Sequence, residues 1–193
     1  ILTFMNTSAK SNYESDHKDI PGNPSTSKTS VLKLNRRENN EPLRVLNETQ
    51  WNFWRENGYV VIKNVISREQ ANKTASFLWE FEEKSPNKPE SWYHAPRAEM
   101  QMKELAGTGM VEVYNHQYLW TNRQSQKVYD AFVDVWGTEK LWVTIDRANL
   151  NFPIKKGFEY KGFIHWDYDP ETKPENVQGV IALSDQIDPN MGG

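Results

Sequence analysis

The chain contains no cysteine, which excludes a disulfide framework and every metal site built on thiolates. Any metal bound here must take its ligands from histidine, aspartate and glutamate. Also missing are an apolar run long enough to span a bilayer and, at the start, the charged and apolar stretches of a secretory signal. Nor is there an excess of positive charge. The 23 Lys and Arg stand against 26 Asp and Glu, a net charge of -3, and the cations are scattered rather than gathered into a stripe. That leaves no electrostatic footprint for nucleic acid. Together these absences predict a cytoplasmic chain with neither a membrane nor a nucleic-acid partner.

The 193 residues are enough for one domain with a core of its own. The chain begins with Ile1 and stops at Met191-Gly192-Gly193 in a turn-like stretch, so it is expected to be the N-terminal part of a longer product. Residues 1–42 are polar, with runs such as Pro21-Gly22-Asn23-Pro24-Ser25-Thr26-Ser27, and all eight tryptophans lie after them. A segment with so little to bury cannot offset its ordering entropy. It is expected to be disordered or loosely attached, leaving 43–193 as the folded part.

Asn47-Glu48-Thr49-Gln50 has the form of an N-cap with a capping-box glutamine, followed by Trp51, Phe53 and Trp54 and ended by Gly58. Tyr59-Val60-Val61-Ile62 is a β-rich run. Ser67-Arg68-Glu69-Gln70 repeats the capping pattern before a helix carrying Ala71, Ala75, Leu78, Trp79 and Phe81. Residues 84–108, broken by Pro86, Pro89, Pro96 and Gly107, read as irregular. A short strand is predicted at Val111–Tyr114 and a helix at Lys127–Trp136 ended by Gly137. Further strands are predicted at Leu141–Asn151, Tyr160–Asp167 and Val177–Leu183. In Leu141–Asn151, Val143, Ile145, Arg147 and Asn149 should share one face. Helices first and strands afterwards predict an α+β fold, mainly β, with a helix-flanked antiparallel sheet system such as a jelly roll.

The chemistry concentrates in Phe163-Ile164-His165-Trp166-Asp167, where His165 and Asp167 point to the same strand face. An imidazole and a carboxylate placed so can take adjacent positions on a metal, and a third ligand would complete a facial triad. Four histidines and nine aspartates in 193 residues give about 0.2 His-x-Asp matches by chance, and a second match, His17-Lys18-Asp19, lies in the polar segment. On spacing alone the His165 pair reads equally as a core-edge histidine bonded to a neighbouring acid. Asp169 shares the face as well, so the choice of carboxylate stays open at this level.

Three segments in order add a resemblance. Asn57-Gly58-Tyr59-Val60-Val61-Ile62-Lys63-Asn64-Val65 with Ser67-Arg68-Glu69, then His165-x-Asp167, then Val177–Asp185 with Asp188-Pro189-Asn190-Met191-Gly192-Gly193, resemble the phytanoyl-CoA dioxygenase family. The similarity covers roughly residues 43–193. It implies a double-stranded β-helix with N-terminal helices, cut before the barrel closes. It also implies metal binding by His165 and Asp167, with Fe(II) as the metal and 2-oxoglutarate as the cosubstrate. The implied activity is an oxidoreductase one, hydroxylation of a small-molecule substrate with O2, forming succinate and CO2. Related halogenases replace the carboxylate with a small residue, so Asp167 implies hydroxylation.

The distal histidine and the cosubstrate arginine of that family have no counterpart here, and by itself the chain is expected to be inactive. His94 and His116 precede the His-x-Asp strand, against the family order, and read rather as packing or substrate-side residues. Arg147, Asn149 and Asn151 are candidates for a carboxylate of cosubstrate or substrate, or equally a surface ion pair and strand-end amides. Tyr114–Trp120 is dense in aromatics and suits a pocket wall or an aromatic core. The rival function is a jelly-roll binding module, or a metal-dependent isomerase on a similar barrel.

Overall fold

The computed structural model describes residues 2–4, 41–94, 109–153 and 177–187. In chain order these form β1 (Leu2–Phe4), α1 (Glu48–Asn57), α2 (Arg68–Phe81), a 3-10 turn (Pro89–Ser91), β2 (Met110–Val111), α3 (Gln117–Arg123), α4 (Gln126–Trp136), β3 (Ala148–Asn149) and β4 (Val177–Gly179). β1 pairs antiparallel with β4, and β2 antiparallel with β3. Among the described residues helix outweighs strand, and no closed barrel is formed. β1 belongs to the polar segment 1–42, most of which lies outside the described residues, as does the predicted strand 160–167.

The helix ends follow from local chemistry. Asn47 Oδ1 accepts from the Gln50 N–H at 2.8 Å while Gln50 Oε1 accepts from the Asn47 N–H at 3.1 Å, so two orphan donors of α1 are satisfied reciprocally. Gly58 closes α1 at φ 74°, and its N–H donates to Trp54 O at 2.8 Å. Gly137 does the same for α4 at φ 66°. At α2, Ser67 Oγ accepts from the Gln70 N–H at 3.1 Å, but the Gln70 side chain does not reach back. Its Nε2 donates instead to Asn122 Oδ1 at 2.7 Å, and Asn122 Nδ2 donates to Thr74 Oγ1 at 3.0 Å. This buried relay ties α2 to α3, and it explains why Thr74 is inside a helix face that the apolar pattern alone would leave to Ala75.

The core has two centres. Leu46, Trp54, Val128, Phe132, Val135, Trp136 and Val177 form the first, with Val60, Ile62, Val65, Leu141, Val143 and Ile181 packed against it. Leu78, Val111, Val113 and Leu119 form the second, with Phe77, Phe81, Ala148, Leu150 and Leu183 around it. α4 is buried along most of its length. Asp134, wholly inaccessible, turns its carboxylate to the N–H groups of Arg44, Val45 and Leu46 at 2.7, 2.8 and 2.8 Å, and so clasps the segment entering α1 to α4.

The extended stretches depart from expectation in instructive ways. Tyr59–Ile62 alternates in burial as a strand would, yet it joins no ladder among the described residues. The ladder predicted at Val111–Tyr114 is Met110–Val111, and that in Leu141–Asn151 is confined to Ala148–Asn149. Within 141–150 the inward set changes parity: Leu141 and Val143 pack on the first centre, Ala148 and Leu150 on the second, and Ile145 is 54 % exposed. The single face expected for Val143, Ile145, Arg147 and Asn149 is therefore broken between 143 and 148.

Candidate functional site

Of the candidate residues, His165, Asp167 and Asp169 lie outside the described residues, and Arg147, Asn149 and Asn151 lie within them. The β2–β3 ribbon sets the latter three. Val111 opposes Ala148 on the inward side, and Met110 opposes Asn149 on the outward side. Arg147 and Asn151 flank this ladder, the first half-buried and the second exposed. Arg147 Nη1 reaches Met110 Sδ at 3.3 Å, and its Nε lies 3.5 Å from Asp146 Oδ1. A guanidinium held on one side by a carboxylate and a thioether still offers a planar fork of donors, while Asn149 is exposed beside it.

The ribbon's shape depends on two residues that the pattern does not announce. Gly109 sits at φ 77°, where a Cβ would stand 1.8 Å from Asn151 Oδ1. A side chain there is strained by the left-handed backbone and would require the Asn151 amide to shift. Arg123, buried at the end of α3, donates from Nη1 to Tyr114 O at 3.0 Å and from Nη2 to Asp146 O, with its guanidinium carbon 5.3 Å from the Trp120 ring centre. Burial lowers its pKa from the ordinary arginine value. Arg123 is thus a positioning residue for the Asp146-Arg147 step. No local signal marks it, because its acceptors come from before α3 and from well after it.

His116, expected as a packing or substrate-side residue, is the N-cap of α3, a helix the sequence pattern did not predict. Its Nδ1 accepts from the Tyr118 N–H at 3.3 Å and its ring stacks on Phe77 at 3.7 Å and 10°. One nitrogen and one ring face are thereby committed to structure. His116 and Tyr118 wall a shallow groove of about 540 Å³ shared with Lys73, Phe77 and Glu80 of α2. The Lys73–Glu69 pair on its rim, at 2.6 Å, lowers the Glu69 pKa and raises that of Lys73 through the hydrogen bond. His94 is exposed just after the 3-10 turn. Among the described residues no three His, Cys, Asp or Glu side chains come together in a way that would hold a metal ion, and no helix is long and apolar enough to cross a membrane.

The first and last of the three motif segments meet. Arg68 Nη2 contacts both carboxylate oxygens of Asp185, at 2.9 and 3.0 Å, across 117 positions of sequence. Val60, Ile62 and Val65 from one segment, and Val177 and Ile181 from the other, pack on the same core centre.

No family model matches the chain, and no solved structure matches it. It is similar to a curated protein of Aspergillus versicolor named Ava biosynthesis cluster protein O, with 29% identity over 146 residues. That match takes in 73% of this chain and 46% of the other, so the chain spans less than half the length of that relative.

Proposed function

We propose that the chain is part of an iron(II)- and 2-oxoglutarate-dependent dioxygenase that hydroxylates a small organic substrate, with a double-stranded β-helix as its full fold. The observation that carries this reading is the ordered set of three segments around His165-Trp166-Asp167, of which the outer two lie together on one core centre and are joined by Arg68 and Asp185. The Aspergillus relative's name places it in a biosynthesis cluster, which suits an enzyme acting on a small metabolite.

The donor set fits the metal. With no cysteine available, imidazole and carboxylate are what the chain can offer, and both suit Fe(II) with positions left for other ligands. When bound, iron with 2-oxoglutarate and O2 supplies the oxidative chemistry, releasing succinate and CO2. His165 and Asp167 hold the metal. Arg147 gives a charge-assisted fork to a carboxylate of cosubstrate or substrate, Asn149 adds an amide beside it, and Asp146 limits the guanidinium's swing.

The test uses the full-length gene product, purified anaerobically, loaded with Fe(II) and 2-oxoglutarate, and exposed to O2 while succinate is quantified. The wild type is expected to form succinate and to hold iron by elemental analysis. Asp167→Ala should abolish succinate, whereas Asp169→Asn should reduce it by no more than about 10- to 100-fold, as for a group acting behind a ligand. A wild type that neither holds iron nor forms succinate refutes the reading in favour of a binding module. Reversed effects at 167 and 169 transfer the ligand role to Asp169.

A further inference from the structure

β2 turns its side chains opposite ways: Val111 is 1 % exposed in the second core centre, while Met110, opposite Asn149, is 36 % exposed. Met110 is the one methionine among the described residues. Its Sδ stands 3.3 Å from Arg147 Nη1. A thioether is a weak acceptor, so this contact holds the guanidinium loosely.

Where the sulfur sits on the guanidinium decides what it controls. A guanidinium grips a carboxylate with two parallel donors, using either the edge formed by Nη1 and Nη2 or the edge formed by Nε and Nη2. Asp146 Oδ1, 3.5 Å from Nε, faces the second edge. The first is left, and Met110 stands at it. An incoming carboxylate has only a sulfur contact to displace there, provided the sulfur remains a thioether.

Exposed methionine is open to oxidation, and its sulfoxide is polar and enzymatically reversible. We infer that Met110 is a redox-modification site: a hydroperoxide converts its sulfur to the sulfoxide, whose oxygen then bonds Arg147 Nη1 and withdraws that edge from an anionic ligand. In this step the sulfur gives up two electrons and the O–O bond of the peroxide breaks. One oxygen bonds to Sδ, and its hydrogen passes to the other, which leaves as water or alcohol. The sulfur already lies beside Nη1, and the unbranched methionine side chain can rotate to aim the new oxygen at it. Capture of Arg147 stands on this geometry alone, whereas the loss of ligand affinity rests on the carboxylate-binding role proposed for Arg147 above.

The full-length gene product is treated with hydrogen peroxide in the presence of a chelator, which suppresses iron-driven oxidation. It is then read by peptide mass spectrometry and by the rate at which phenylglyoxal labels Arg147. Met110 should gain one oxygen, and labelling of Arg147 should slow roughly 10-fold, as expected of a hydrogen bond to a charged donor. Methionine sulfoxide reductase should restore the rate, and Met110→Leu should label equally before and after peroxide. Met110 resisting peroxide that oxidises an unfolded peptide of the same sequence overturns the inference. So does an Arg147 labelling rate that oxidation leaves unchanged, or that slows as much in Met110→Leu. KM for 2-oxoglutarate, measured from succinate once peroxide and chelator are removed and Fe(II) is restored, separates the two readings. Slower labelling with a raised KM supports both. Slower labelling with KM unmoved upholds the capture and shows that 2-oxoglutarate is not the anion Arg147 holds, and the absence of any succinate fails the functional reading while the labelling still decides the capture.

Discussion

Replacing Asp134 with alanine should be among the most damaging single changes in the described part of the chain. The carboxylate is inaccessible to solvent and serves three backbone donors, Arg44, Val45 and Leu46. Alanine leaves those donors facing an apolar gap, and a buried donor left unpaired costs roughly 1–3 kcal/mol. The three do not count equally. Leu46 is 3 % exposed and loses its partner outright, Val45 is half-buried, and water can replace the carboxylate at Arg44. Counting the first in full, the second by half and the third not at all gives about 2–4 kcal/mol. Against a total of roughly 5–15 kcal/mol for a domain, that is a large fraction. Urea unfolding followed by tryptophan fluorescence reads it directly, because Trp54 and Trp136 share the core centre with Leu46. With a denaturant slope of about 2 kcal/mol/M, the midpoint should fall by roughly 1–2 M. Asp134→Asn retains one acceptor oxygen and should lose less than alanine. The control is Asp130→Ala on the same helix, whose carboxylate meets the Arg44 side chain at 3.2 Å near the surface and should matter by less than about 1 kcal/mol. Equal midpoints for Asp134→Ala and Asp130→Ala would refute the clasp.

Gly58→Ala, where an added Cβ meets open space, should lose only the left-handed penalty of about 1–2 kcal/mol in thermal unfolding, whereas Gly109→Ala should lose more because Asn151 must move as well. In the full-length product, Arg147→Met should raise KM for 2-oxoglutarate or for substrate about 10- to 100-fold, as loss of a charge-assisted pair implies, and should leave the urea midpoint nearly unchanged. The Glu69–Lys73 pair gives a pH effect of known sign. Lys73 holds the Glu69 carboxyl below its ordinary pKa, so the pair's support of α2 is present above that ordinary value and fades as pH falls through the lowered one. The helical circular dichroism signal of the wild type should therefore stand slightly above that of Glu69→Gln at neutral pH and converge with it on acidification.

The ends of α1, α2 and α4 were legible because caps are local chemistry: Asn47 with Gln50, Ser67 with Gln70, and glycines 58 and 137 act within one turn. α3 was not, since its cap is His116, outside the small hydroxyl, amide and carboxylate set that sequence reading relies on. Strand ladders depend on partners elsewhere in the chain, so the strand predicted at Val177–Leu183 is there but its ladder stops at Gly179. At the candidate site the ladder holds Asn149 alone of the three residues expected on one face, with Arg147 and Asn151 flanking it. Period two could not show that Val143 and Ile145 belong to a separate stretch, or that the Asp146 carbonyl at its end is held by Arg123 from another element.

That break has a bearing on which lengths of chain this region tolerates. A bulge is one surplus residue inserted between two stretches that would otherwise alternate in step. Between Val143, which faces the first core centre, and Ala148, which faces the second, there is one such surplus residue. Deleting a single residue from 144–146 would bring Val143 and Ala148 into the same alternation. What it would forfeit is the carbonyl that Arg123 grips, 23 positions away. The setting of the Arg147 fork is therefore governed from α3 as well as from its own strand, so a change at the end of α3 would reach the site across the length of α4.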